Sequence, residues 1–273
     1  MACRQTHSPL SPLGRTRARP RSLTPQNSLP SHLAMSNHHI LQIETATPVC
    51  SVALSTNGET IAFRDVNEPN IHASRLTLLI SELLEETGLG FKDLAGVAVS
   101  KGPGSYTGLR IGVSTAKGLC YATDLPLIGV DTLEGMVAGF KELYPGVCAG
   151  YARLCPMIDA RRMEVYLAIY DQTLQPVMPV SAVVIDAQSF STEETDRKIV
   201  LFGSGADKLK GLFSDNDEVH VVTGFLNSAR SLSHKAYQAF LAGEFVDVAY
   251  FEPYYLKEFV TTVPKNLTTN PFA

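Results

Sequence analysis

Twice along this chain, three strand-like runs are followed by alternating helices and strands. In the first half the runs are Ile40–Glu44, Val49–Ser55 and Thr60–Val66, with Asn57-Gly58 as a hairpin signal between the last two. A helix follows in "IHASRLTLLISELLEETGLG". There Leu76, Leu79, Ile80, Leu83 and Leu84 recur at i, i+3, i+4, i+7 and i+8 and form one apolar stripe. Asn70 is placed to cap its start and Gly88 to stop it. Leu94–Lys101 reads as a strand buried on both faces. A glycine turn and second helix run to about Asp124, "PLIGVD" is a short strand, and a third helix starts at Asp131 or Thr132.

The order then begins again. A Gly- and Pro-containing stretch from Tyr144 to Gly150 marks a boundary. "RLCPMIDARRMEVYLAIYD" and the run near Val180–Ile185 supply three strands. A weak helix, the strand "KIVLFG", a helix in "ADKLKGLF", the strand "VHVV" and a helix in "SLSHKAYQAFLAGE" complete the half. Alternation of this kind predicts layered α/β structure, and two such halves predict two lobes with a cleft.

Residues 1–35 stand apart. They hold five arginines, no acidic residue and many Ser and Pro, a composition expected to stay disordered. A transit peptide is one reading; another is that Met35 is the true start. The whole chain carries 23 Lys+Arg and 27 Asp+Glu; without the leader's five arginines, residues 36–273 carry 18 against 27, a formal −9. So acidic a body is a poor primary binder of nucleic acid, and an RNA role would need another subunit to hold the RNA. No apolar run approaches the roughly 20 residues of a membrane span. Five cysteines, none in a C-x-x-C, fit buried thiols in a reducing cytosol.

The candidate chemistry is sparse. "SKGPGSYTGLRIG" lacks the Lys of a P-loop, places Thr107 where a dinucleotide fingerprint needs its third glycine, and is no G-x-S-x-G elbow. What remains is a turn, with Ser105 or Thr107 as helix cap and Gly108, Gly112 and Ala116 four apart for close helix packing, or an anion site at a helix N-terminus. In "IETAT", Glu44, Thr45 and Thr47 suit either a hydrated cation or local backbone capping. Asp159 lies in "MIDARRMEVY", which also suits a hairpin with surface ion pairs. No two histidines stand at metal spacing on one helix face: four residues after His72 comes Leu76.

"ILQIETATPVCSVAL", "HASRL", "SKGPGSYTGLRIGVSTAKGL", "IGVDTLEGM", "IDARRMEVY" and "EPYYLKEF", in this order, resemble the TsaB (YeaZ) family. The likeness covers about residues 39 to 260, and the glycine-turn helix and "IDARRMEVY" are its most specific parts. It implies a two-lobed actin-like (ASKHA) α/β fold, each lobe an RNase H-like mixed sheet flanked by helices. The expected units are a leader at 1–35 and lobes at 36–143 and 144–273. It further implies a non-catalytic subunit of the complex that makes threonylcarbamoyladenosine on tRNA. The catalytic relative, TsaD, binds a metal through a histidine pair, of which this chain keeps only His72. The implied partners are a TsaD-like subunit and a TsaE-like ATPase, with tRNA reached only through the complex and homodimers when the partner is absent. No cofactor or metal is expected in this chain, though ATP and Mg²⁺ belong to the complex. The partner-binding helices would be His72–Thr87 and Thr107–Thr123. The expected contacts are Leu76, Leu79, Ile80, Leu83, Gly108, Leu109, Gly112, Val113 and Ala116. Glu44, Thr45, Thr47 and Asp159 are the residues of a degenerate nucleotide pocket. The competing readings are an actin-fold ATPase using those residues and, with least support, a peptidase.

Overall fold

The computed structural model describes residues 37–190 and 198–257. The leader and part of the stretch expected as a weak helix before Lys198 lie outside the described residues.

The first sheet holds β1 (His39–Glu44), β2 (Val49–Thr56), β3 (Glu59–Asn67), β4 (Leu94–Ser100) and β5 (Leu127–Val130), in the order β3-β2-β1-β4-β5. The β1-β2-β3 meander is antiparallel, and β4 and β5 run parallel to β1. The second sheet repeats this plan with β6 (Arg153–Asp159), β7 (Glu164–Tyr170), β8 (Pro176–Val184), β9 (Ile199–Phe202) and β10 (Val219–Val222), in the order β10-β9-β6-β7-β8. β6, β7 and β8 form the antiparallel meander, and β9 and β10 are parallel to β6. This is the RNase H-type sheet made twice, the two-lobed actin-like architecture.

Local signals explain most boundaries. Asn57 and Gly58 take φ of 52° and 89° and close the β2–β3 hairpin in the left-handed pair that suits strand twist. α1 (His72–Thr87) ends at Gly88 with φ 67°. Asn70 does not cap α1: it sits at φ 56°, a left-handed position that asparagine tolerates, and Ile71 begins the helix instead. α2 (Tyr106–Thr123) starts at Ser105, whose Oγ accepts from Gly108 N. α3 (Thr132–Leu143) starts at Asp131, which accepts from Leu133 N and Glu134 N. A single turn, α4 (Pro145–Cys148), follows. The helix expected in "ADKLKGLF" is one turn only, α5 (Ser204–Asp207), continued by turns through Asp215. The last helix, α6 (Ser233–Ala242), is entered through a 3₁₀ turn at Ala229–Leu232.

Four layers of side chains cover the two sheets. On one face of the first sheet, Leu41, Ile43, Val52, Leu54, Val97 and Val99 pack under α1 and α2. On its other face, Ile40, Ala98, Ile128 and Val130 meet Leu232 and Ala236, which come from the second half of the chain. α3 makes the reverse crossing. Its Leu133, Met136, Val137 and Phe140 pack on Leu154, Ile158, Val200 and Phe202 of the second sheet, with Phe140 and Phe202 stacked at 3.7 Å. The remaining face carries Cys155, Met157, Leu167 and Leu201 under Ala206, Leu209 and Phe213. The two sheets are built from separate halves of the chain, but a helix from each half packs on the other's sheet, and the described residues form one compact unit. Burial raises the thiol pKa of Cys50 and Cys120 to about 11, so neither is a thiolate near neutrality.

Candidate functional site

The turn from Lys101 to Ser105 is fastened on two sides. Toward α3, Gly102 N donates to Thr132 Oγ1 and Thr132 N donates back to Gly102 O, both at 3.1 Å. Toward the β1–β2 turn, Ser105 N donates to Ala46 O at 2.7 Å, and Thr45 Oγ1 donates to Gly108 O at 2.8 Å. These bonds press α2 against the end of β1. A Cβ on Gly112 would stand 2.2 Å from Thr45 Oγ1, and one on Gly108 would stand 2.0 Å from Thr45 O. The stripe of small residues does serve a close approach, but the neighbour is the chain's own Thr45.

That placement corrects the residue-level expectation. Leu76, Leu79, Ile80 and Leu83 on α1 and Gly108, Leu109, Gly112, Val113 and Ala116 on α2 are all buried within this chain. An amphipathic stripe next to a sheet buries itself there first, because that contact is made on folding. The surface left open is the opposite side of the same helices. On α1 it holds Ala73, Ser74, Thr77, Leu78 and Ser81, and on α2 Thr107, Ser114, Gly118, Tyr121 and Ala122. Leu78 is 49% exposed and Tyr121 84%. None of these ten is charged. Charge appears around these positions, as Arg75, Glu82, Glu85 and Glu86 on α1 and Arg110 on α2. Ser114, Gly118 and Ala122 form a second small-residue stripe, and a Cβ on Gly118 would meet nothing within 4 Å.

The residues of the degenerate nucleotide pocket do not assemble. Glu44 is fully buried, and its carboxylate accepts from Ala46 N at 2.6 Å. Burial raises its pKa to about 7, opposed by that bond and by the nearby Ser100 and Asn227 side chains. Neither side chain closes a well-formed hydrogen bond, since Glu44 Oε2, Ser100 Oγ and both Asn227 side-chain atoms lack partners of good geometry. Thr45 is committed to Gly108. Thr47 reaches a cleft of about 210 Å³, together with Asn67, Met136, Ser204, Asp207 and Asn227. Asp159 lines no part of that cleft; its carboxylate is held by Lys208 at 2.5 Å and by Arg161 N at 2.9 Å. Among the described residues no group of three His, Cys, Asp or Glu is poised for a metal ion. His72 has a structural task. Its Nε2–H donates to Thr47 O at 3.0 Å and lies 3.3 Å from Val49 O, tying α1 to the β1–β2 turn.

One element escaped the sequence reading. Residues 245–257 form a strap along β5 and α2. Val246 N donates to Leu127 O, Lys117 Nζ donates to the carbonyls of Ala249 and Phe251, and Tyr254 N donates to Lys101 O. The strap then reaches the second sheet, where Lys257 pairs with Glu164 at 2.6 Å. Its "EPYYLKEF" contributes to the family likeness, but "VAYFEPYYLKEF" has no helical or strand period from which a strap could be read.

The family model that matches is TsaD, tRNA N6-adenosine threonylcarbamoyltransferase, over residues 69–192. The tRNA threonylcarbamoyladenosine biosynthesis protein TsaB of Escherichia coli (strain K12) is 33% identical over 233 residues, covering 80% of this chain and 94% of that protein. Its namesake in Bacillus subtilis (strain 168) is 30% identical over 224 residues, with 80% and 93% covered. The solved structure of YeaZ from Pseudomonas aeruginosa superposes with a TM-score of 0.64 at 27% identity, covering 80% of this chain and all of that one. On likeness of this extent, in sequence and in fold, the chain belongs to the TsaB family.

Proposed function

We propose that this chain is a non-catalytic scaffold subunit of the complex that transfers threonylcarbamoyl to the adenosine 3′ of the tRNA anticodon. Its work is to dock a TsaD-like catalytic subunit through the exposed face of α1 and α2. The observation that carries this reading is the set of exposed, uncharged positions on both helices, Ser114, Gly118 and Ala122 on α2 and Ala73, Thr77, Leu78 and Ser81 on α1. Small residues let a second pair of helices approach closely, and Leu78 and Tyr121 supply apolar area at the contact. The reading without chemistry in this chain is supported by Glu44, whose carboxylate is fully buried and does not line the cleft. ATP and Mg²⁺ are then used by other subunits, among them a TsaE-like ATPase, in the cytosol. Without its partner the same face pairs two copies of this chain.

Two mixtures test the reading. Full-length chain and a TsaD-like subunit are expected to co-elute from a sizing column, and the chain alone is expected to give no heat with millimolar MgATP. Separate elution removes the scaffold. ATP binding lost in Glu44→Gln favours the ATPase reading instead.

A further inference from the structure

The β6–β7 hairpin turns through Arg161 at φ 75° and Arg162 at φ 49°, two successive left-handed residues at positions that favour glycine or asparagine. Both side chains are exposed. The backbone is pinned in this shape. Asp159 Oδ1 accepts from Arg161 N at 2.9 Å and from Lys208 Nζ at 2.5 Å, Glu164 N donates to Arg161 O, and Ala160 N donates to Glu164 O. Lys208 Nζ also donates to Glu164 O at 2.7 Å. Lys257 of the strap pairs with the Glu164 carboxylate. Thus the two carboxylates of the hairpin are each matched by a lysine, and neither guanidinium forms an ion pair among the described residues. On a body with a formal −9, four cations and two carboxylates meet at one tip.

One aromatic ring, Tyr166 on β7, lies close to this tip, and two more follow along the strap that reaches it. Tyr166 lies within the field of Arg161, Lys257 and Glu164. Tyr254 is 44% exposed on the strap, and the neighbouring Tyr255 packs against Tyr106 and accepts from Arg110 Nε. The hairpin is thereby joined, through the strap, to the N-terminal end of α2. Unpaired arginines suit phosphodiester oxygens, which they grip with two N–H groups at once, and rings among cations suit exposed bases.

We propose that the β6–β7 hairpin tip is an RNA contact of this chain, with Arg161 and Arg162 gripping backbone phosphates once the catalytic subunit is docked. This rests on the scaffold reading above. Because the body is acidic, the tip adds to RNA binding by the complex and does not hold RNA unaided.

The test is tRNA binding by the full chain in complex with its catalytic subunit, followed by fluorescence anisotropy between about 50 and 200 mM salt. The variant Arg161→Gly/Arg162→Gly removes both charges while glycine accepts the left-handed backbone, so folding is kept. It is expected to weaken binding about tenfold and to make the slope of log affinity against log salt shallower by roughly 1.5, as the loss of two phosphate contacts requires. Arg161→Lys/Arg162→Lys is expected to keep most of the slope, and Lys92→Gln, on a remote turn, to change neither quantity. Unchanged affinity and slope in the glycine variant overturn the proposal. So does loss of co-elution with the catalytic subunit, which would make the tip a protein contact. Modification by the wild-type complex is measured in parallel. If it modifies tRNA while the glycine variant binds normally, only the hairpin proposal falls; if it modifies none, the scaffold reading falls too.

Discussion

Two glycines six residues apart on α2 are expected to respond in opposite ways to a side chain. Gly118 faces solvent, and a Cβ added there would have nothing within 4 Å, so Gly118→Leu meets no obstacle in the free chain. Replacing an exposed mid-helix glycine by leucine stabilises a helix by about 0.8 kcal/mol. For a domain of this size that is a rise of roughly 2–3 °C in Tm. If α2 docks helices of a partner over Gly118, the same leucine overpacks the contact at a cost of about 1–3 kcal/mol, or roughly five- to 150-fold in Kd. Gly112→Ala does the reverse. Its Cβ would stand 2.2 Å from Thr45 Oγ1, an atom already bonded to Gly108 O, so either α2 or the β1–β2 turn must move. The expected loss is about 1–3 kcal/mol, a fall in Tm of roughly 3–10 °C. Calorimetric melting of each variant gives the stability half, and titration with the catalytic subunit gives the binding half. A Gly118→Leu chain that is more stable and binds its partner normally refutes the placement of the interface. A Gly112→Ala chain as stable as the parent refutes the account of why the first stripe is small.

Two further predictions concern the β1–β2 end of the first sheet. Burial raises the Glu44 pKa from 4.5 to about 7, so between those values the unfolded chain releases a proton that the folded chain keeps. Stability therefore falls as pH rises through that window, by about 3 kcal/mol in all, and Glu44→Gln is expected to flatten the fall when denaturant unfolding is compared at pH 5 and pH 8. His72→Leu leaves the Thr47 and Val49 carbonyls without their donor, a cost of about 1–3 kcal/mol. Added zinc is expected to leave the melting of the parent chain unchanged; a zinc-induced rise would make His72 a metal ligand instead.

The layered plan was legible because periodicity and turn chemistry are local. Asn57-Gly58, Gly88, Ser105 and Asp131 mark element boundaries with side chains or backbone freedom that act within a few residues. The proposed interface was legible only to the level of the helix. α2 carries two small-residue stripes, Gly108-Gly112-Ala116 and Ser114-Gly118-Ala122, set two residues apart and so about 200° around the axis. Nothing in their composition says which faces the sheet. That is decided by Thr45, more than sixty positions earlier, through its bond to Gly108. For the same reason Glu44 and Asp159 could both be offered to a nucleotide pocket on sequence alone. One is sealed behind Ser100 and Asn227 and the other is bound by Lys208, and both environments are made by distant parts of the chain.

On the scaffold reading, a catalytic partner needs this chain. The most direct measurement is a reconstitution with tRNA, threonine, bicarbonate, ATP and the other pathway proteins, with and without this chain, in which threonylcarbamoyladenosine is quantified. Product is expected only when the chain is present, and is expected to be lost when Gly118→Leu replaces the parent. Equal product without the chain would contradict the scaffold reading.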